Sequence, residues 1–305
     1  MKKVFYLSVF LLLQTLAAPA QNNTGSNSRT TIRYSGTRLT YPLVEAWIKE
    51  FTKLHPQVEF RQIPRGEDAS GADIKILAYT LDKNNFKPDE QILIVSNYAQ
   101  VPVTNSANPE VEKWKKTGVS DEQLQNLFFR KNTTAGAAGH NIVTVYTRDI
   151  PACATKSFAG HYGKETGEIN GKPVSGDDRS LIEAVLKDTN GVTFNNLGFV
   201  YNLQTGKVKD GISVIPLDIN GNGKLDENEQ YYEDLQKLIN AIEAGKIPQL
   251  SVDNVNFVFS KNPSPALSEF VDWVVTDGQK LNHQFGFLKT GTTDIVKGIA
   301  GKGNN

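Results

Sequence analysis

The chain has 305 residues, with 33 Lys and Arg against 33 Asp and Glu and one cysteine, Cys153. Balanced charge argues against a nucleic-acid or anionic-membrane partner, and a lone thiol excludes an internal disulfide. The length allows a large core and suits two lobes.

The first 20 residues have the pattern of a secretory signal peptide: Lys2 and Lys3, an apolar run from Val4 to Leu16, then Ala18-Pro19-Ala20. The run is shorter than the roughly 20 apolar residues that a membrane span needs, and Ser8 and Gln14 interrupt it. Cleavage before Gln21 leaves 31 basic and 33 acidic residues. The expectation is an exported chain, periplasmic or secreted, without membrane insertion. Residues 21–30 are polar, Asn- and Ser-rich, and read as a disordered leader.

Ile32 and Tyr34 mark a strand that meets a Ser-Gly-Thr turn. Pro42 then opens a helix whose stripe is Leu43, Val44, Trp47, Ile48 and Phe51. A loop of small and hydroxyl residues before a helix gathers free N–H groups and the positive end of the helix dipole, which favours an anion. The same residues also suit a plain structural turn. Val58 to Ile63 reads as a strand, Pro64 to Gly71 as a loop, and Asp73 to Tyr79 and Gln91 to Val95 as further strands. Asn105-Ser-Ala-Asn-Pro109 suits a crossover between lobes.

Ser120 caps a helix carrying Leu124, Leu127 and Phe128. Thr133 to Asn141 is a loop of small residues. A strand from Asn141 to Thr147 follows, ending at Arg148, and Pro151 leads a helix through Phe158 to Tyr162. Cys153 reads as a small buried hydrophobe. Gly176 to Ser180 caps a helix from Leu181 to Lys187, and Leu197 to Tyr201 and Ile212 to Leu217 read as strands. Strands alternating with helices give the α/β class.

Asp218 to Glu229 matches the calcium loop of an EF-hand. Oxygen-bearing side chains stand at positions one, three, five, nine and twelve (Asp218, Asn220, Asn222, Asp226, Glu229), Gly223 is at six, and the Lys224 carbonyl is at seven. Ca²⁺ as a structural staple is the expectation, and an Asn/Gly turn made acidic for solubility is the other reading. Tyr231 to Ala244 then reads as a helix and Val255 to Ser260 as a strand. A helix starting near Pro265 passes through Phe270 and Trp273, and residues 291–305 form a tail. No Gly-x-Ser-x-Gly or His-Glu-x-x-His occurs, and His55, His140, His161 and His283 lack metal-ligand spacing, so no enzyme is expected.

Three stretches, taken in order, carry a resemblance: Gly36-Thr37-Arg38-Leu39-Thr-Tyr-Pro42-Leu with Trp47, Leu197-Gly-Phe-Val-Tyr201, and Val255-Asn-Phe-Val-Phe through Trp273 to Phe285-Gly-Phe287. The chain resembles the phosphate-type periplasmic substrate-binding proteins of ABC importers. That likeness implies a type II periplasmic-binding-protein fold, α/β, with two lobes, two crossovers and a cleft between the lobes. Lobe 1 would be 31–105 plus 251–290, and lobe 2 would be 106–250. It further implies an anion site of Thr37, Arg38, Leu39, Ser70, Gly71, Arg148 and Thr155, with Arg148 as a bidentate clamp. Phosphate or a related oxyanion is the implied ligand, an ABC permease the implied partner, and a monomer the implied state. The family's Ser-Asp pair has no counterpart after Asp73, and its Gly-rich loop is shortened to Gly66–Gly71. A calcium-stabilised interaction protein that keeps the fold and has lost the ligand is therefore the alternative.

Overall fold

A computed structural model describes residues 29–64, 66–130 and 143–290. The expected signal peptide, most of the leader, the small-residue loop at 133–141 and the tail lie outside the described residues.

The chain opens with β1 (Thr30–Gly36), in which Ile32 and Tyr34 alternate into the core. Its last residue is glycine, Gly36, where a Cβ would stand 2.9 Å from the Ile76 Cβ of the neighbouring strand. Helix α1 (Tyr41–Leu54) starts with proline in its first turn and buries Leu43, Val44, Trp47 and Phe51. The Trp47 Nε1 donates to the Gly278 carbonyl at 2.9 Å, tying α1 to the end of the chain. β2 (Val58–Gln62) and β3 (Ile74–Leu77) both pair with β1 in parallel.

β4 (Glu90–Asn105) is a 16-residue strand. After it come α2 (Val111–Thr117) and α3 (Asp121–Phe129), the latter started by a Ser120/Gln123 capping box. β5 (Thr144–Arg148), α4 (Cys153–His161), β6 (Lys172–Val174) and α5 (Asp178–Leu186) follow. β7 (Gly191–Asn196) leads into the single turn α6 (Leu197–Val200), then β8 (Ile212–Val214). The chain closes with α7 (Leu235–Glu243), β9 (Ser251–Ser260) and α8 (Pro265–Val275).

These strands form one sheet in the order β2-β1-β3-β9-β4-β7-β5-β6, with β8 alongside β4. Two hydrophobic cores sit on it. One gathers Ile32, Trp47, Phe51, Tyr98, Phe257 and Phe270, and the other gathers Ala99, Val101, Phe158, Phe194 and Leu250. The boundary runs through the middle of β4, between Tyr98 and Ala99, and near the start of β9, between Leu250 and Val255.

This corrects the lobe limits. Residues 99–105 run with the lobe 2 core, and Asn105 is the last residue of β4, so the chain has already crossed before the Asn105–Pro109 segment. β4 pairs with β9 from Glu90↔Ser260 to Gln100↔Ser251, with one register shift, a β-bulge, between Ile94 and Ser96. Pro102 is tolerated inside it because the proline falls where β9 has ended and β8 begins; its carbonyl accepts from Ile215 at 2.9 Å and no donor is required of its nitrogen. Leu197 to Tyr201 is also corrected. The strand is the preceding Gly191–Asn196, and Asn196 caps the following turn by accepting from Gly198 N at 2.8 Å.

Candidate functional site

The two lobes face each other across a cleft of about 210 Å³. Lobe 1 supplies the loop between β1 and α1, with Gly36, Thr37, Arg38 and Leu39. Lobe 2 supplies Arg148 at the end of β5, the Ile150–Cys153 entry to α4, and Asp177 and Asp178 at the start of α5. Strand ends and helix starts thus meet from both sides, because β1 and β5 both finish at this edge and α1, α4 and α5 start there.

Two guanidiniums converge here. Arg38 Nη2 donates to the Gly176 carbonyl at 2.8 Å, and Arg148 Nη2 donates to the same oxygen. Arg148 is 9% exposed, and its Nε is buried with no partner among the described residues. Gly176 has φ 119°, and a methyl group there would run into the Ser180 hydroxyl, so the turn requires glycine. The Ser175 hydroxyl donates to Asp149, and Asp149 N donates to the Val174 carbonyl at 3.1 Å, which fixes this turn against the end of β5.

The cleft also holds carboxylates. Burial pushes the Asp178 carboxyl above its ordinary range, with the Arg148 charge pulling the other way. Asp177 is held low by its hydrogen bond from Arg179, at 2.6 Å from Nη2, and it also caps α5. Sequence reasoning treated Gly176 to Ser180 only as a helix cap. The signal it contained was two adjacent aspartates at a helix start, one of which must face away from the cap.

Of the expected anion residues, the structure brings together Thr37, Arg38, Leu39 and Arg148. The Leu39 side chain is buried in the lobe 1 core. Ser70 and Gly71 stand elsewhere. The Ser70 hydroxyl and N–H both bond to Asp68, at 2.6 and 2.8 Å, and Gly71 packs beside the Arg33 guanidinium. Thr155 is 3% exposed, and its hydroxyl is committed to the start of α4, accepting from Ala152 N at 2.9 Å and donating to the Ala152 carbonyl at 2.8 Å. None of the three lines the cleft, which corrects that part of the expectation. Lys75 is paired with Glu90 at 2.8 Å. Cys153, expected as a small buried hydrophobe, is half-buried and borders the cleft.

No protein-family model matches the sequence, and neither does any curated protein. Solved structures do match. An ABC-type phosphate transport receptor from Vibrio cholerae superposes with a TM-score of 0.62 at 16% identity, over 86% of this chain and 100% of that one. A phosphate-bound ABC transporter substrate-binding protein from Clostridium perfringens gives 0.63 at 16%, with the same coverage. The regulatory domain of MetR, a LysR family regulator from N. meningitidis, gives 0.51 at 12%, over 86% and 99%.

The fold is that of the type II periplasmic binding proteins. Arg38 and Arg148 meet between the two lobes of this fold. Among the described residues, no helix is long and apolar enough to cross a membrane.

The Asp218–Glu229 loop lies in lobe 2, and none of its residues lines the arginine cleft. Asp218 and Glu229 are 5% and 3% exposed. Asp218 accepts from the N–H groups of Gly221, Asn222 and Gly223, and Glu229 accepts from those of Ile219, Asn220 and Asp226. The Asn220 and Asn222 amides both donate to Asp226 Oδ2, at 2.9 and 2.8 Å. The donor set is all oxygen, which suits a hard cation. Its carboxylates, however, are turned to internal hydrogen bonds, and among the described residues no three acidic, His or Cys side chains are grouped to hold a metal.

Proposed function

We propose that this chain is an exported solute-binding protein that closes its lobes over phosphate or a related oxyanion and delivers it to an ABC importer. The observation that carries this reading is the meeting of Arg38 and Arg148, from opposite lobes, on one oxygen. A carbonyl oxygen satisfies neither guanidinium, whereas an oxyanion would supply several acceptors and the compensating charge. The unpartnered Arg148 Nε is a donor waiting for such an acceptor. The β1–α1 loop adds backbone N–H groups and the positive end of α1. No step of covalent chemistry is assigned to the cleft.

Calcium binding by Asp218 to Glu229 is a separate proposal supported by the ligand spacing. Bound there, the ion would brace lobe 2 through Asp218, Asn220, Asn222, the Lys224 carbonyl, Asp226 and Glu229. The carboxylates would have to exchange hydrogen bonds for metal contacts, so removing calcium should leave a loop that still closes.

Titration calorimetry of the full mature chain with phosphate, sulfate and molybdate, after unfolding and refolding to strip carried-over ligand, tests the oxyanion reading. Binding of at least one is expected. If none binds, a calcium-stabilised interaction protein with this fold takes its place.

A further inference from the structure

A second and larger cavity, about 370 Å³, opens between the same lobes along α4. Its size falls within the range of roughly 300–1,000 Å³ typical of organic ligands, whereas the arginine cleft is nearer the scale of an inorganic ion. The two are neighbours on one helix. Ala152 and Cys153 line the arginine cleft, and Lys156 and Ser157 line the larger cavity. Lys156 stands three positions along the helix from Cys153, a rise of about 4.5 Å.

Lobe 1 contributes Tyr79 and Thr80, and the start of β9 contributes Asp253. The Lys156 ammonium stands 4.1 Å from the centre of the Tyr79 ring. Among the described residues it has no carboxylate within ion-pair distance. Asp253, which lines the cavity, accepts at Oδ1 from the Thr80 hydroxyl at 2.8 Å and from Asn254 N at 2.7 Å. Burial raises the Tyr79 phenol above its ordinary range, with Cys153 a smaller contribution. An ammonium, a carboxylate and an aromatic face around one space form a set that donates to and accepts from hydroxyls while covering a carbon skeleton.

We propose that the cleft takes a phosphate ester of a hydroxylated small molecule, its phosphate at Arg38 and Arg148 and its organic part in the cavity of Lys156, Tyr79 and Asp253. This rests on the oxyanion reading and names the substrate class of the same site. A bare oxyanion would leave the larger cavity and its ammonium unused.

Calorimetry on the mature chain with inorganic phosphate, glycerol 3-phosphate and glucose 6-phosphate tests it, together with Lys156→Ala and Tyr79→Ala. At least one ester should bind tenfold or more tightly than inorganic phosphate. Both variants should erase that preference while leaving the affinity for inorganic phosphate within twofold. Melting temperatures close to wild type would show that the variants fold, as an exposed lysine and a half-buried tyrosine allow. The ester assignment is overturned if inorganic phosphate binds as tightly as either ester, or if the preference survives both substitutions. In either case the oxyanion reading stands. If nothing binds, the oxyanion reading falls first.

Discussion

Arg38 and Arg148 come from different lobes and share one acceptor, the carbonyl of Gly176. Two cations on a neutral oxygen are held together without charge compensation from that oxygen, and the nearby Asp177 and Asp178 supply it instead. An incoming oxyanion must therefore compete with this turn and these carboxylates.

Removal of Arg148 should be the most costly change at the site. Arg148→Ala deletes a buried charge-assisted contact worth about 1.5–3 kcal/mol, roughly ten- to more than a hundredfold in affinity. Thr37→Ala should cost less, because backbone N–H donors remain. Calorimetry with phosphate on both variants checks the ranking, and equal losses would contradict it.

Asp178 gives a pH dependence with a definite sign. Its folded carboxyl titrates above the unfolded value because burial disfavours the charge. The folded state therefore binds more protons between the two values, and stability falls as pH rises through that window. Asp178→Asn should melt higher than wild type at pH 7, and the gap should close as pH falls to about 4, near the ordinary aspartate value. The same substitution should tighten anion binding by removing a negative charge from the cleft. A gap that widens on acidification would reverse the assignment.

Glu229 tests the loop in lobe 2. Glu229→Gln places an amide where three backbone N–H groups now point, so it should destabilise lobe 2 by about 1–3 kcal/mol even without metal. If calcium is bound, EDTA should lower the melting temperature of wild type and leave that of the variant unmoved. An EDTA-insensitive wild type would make the loop a hydrogen-bonded turn.

Much of the fold was legible because it rests on local signals. Pro42 and the Leu43–Phe51 stripe placed α1, and Ser120 with the Leu124, Leu127 and Phe128 stripe placed α3. β7 was missed because the polar Asn195 and Asn196 disguise a fully buried strand. Their side chains are committed to Asp178 O and Gly198 N, a pairing that no periodicity displays. Arg148 was legible as the end of a strand. Asp178 was not, because only the turn from Gly176 brings it beside Arg148. Ser70 and Thr155 were misplaced for the opposite reason: each spends its hydroxyl on its own turn, a local commitment that composition leaves open.

Trp47 offers a test of the lobe 1 core. Trp47→Phe removes the donor to the Gly278 carbonyl, the loss of one hydrogen bond worth about 0.5–1.5 kcal/mol. Chemical denaturation should show the lower midpoint, with phosphate affinity unchanged relative to the folded fraction.

β4 and β9 pass from one core to the other as a paired ribbon, so neither lobe owns all the strands that complete its own sheet. Melting one lobe would strip hydrogen-bond partners from the other, and the two should lose structure at one temperature. Trp47 and Trp273 lie with the first core and Trp114 with the second, so their fluorescence can be followed as separate thermometers once the others are replaced. Coincident midpoints are expected. A ligand gripped at the cleft would then protect tryptophans on both sides by the same number of degrees, and a protease that nicks an exposed loop would yield no lobe able to stand alone.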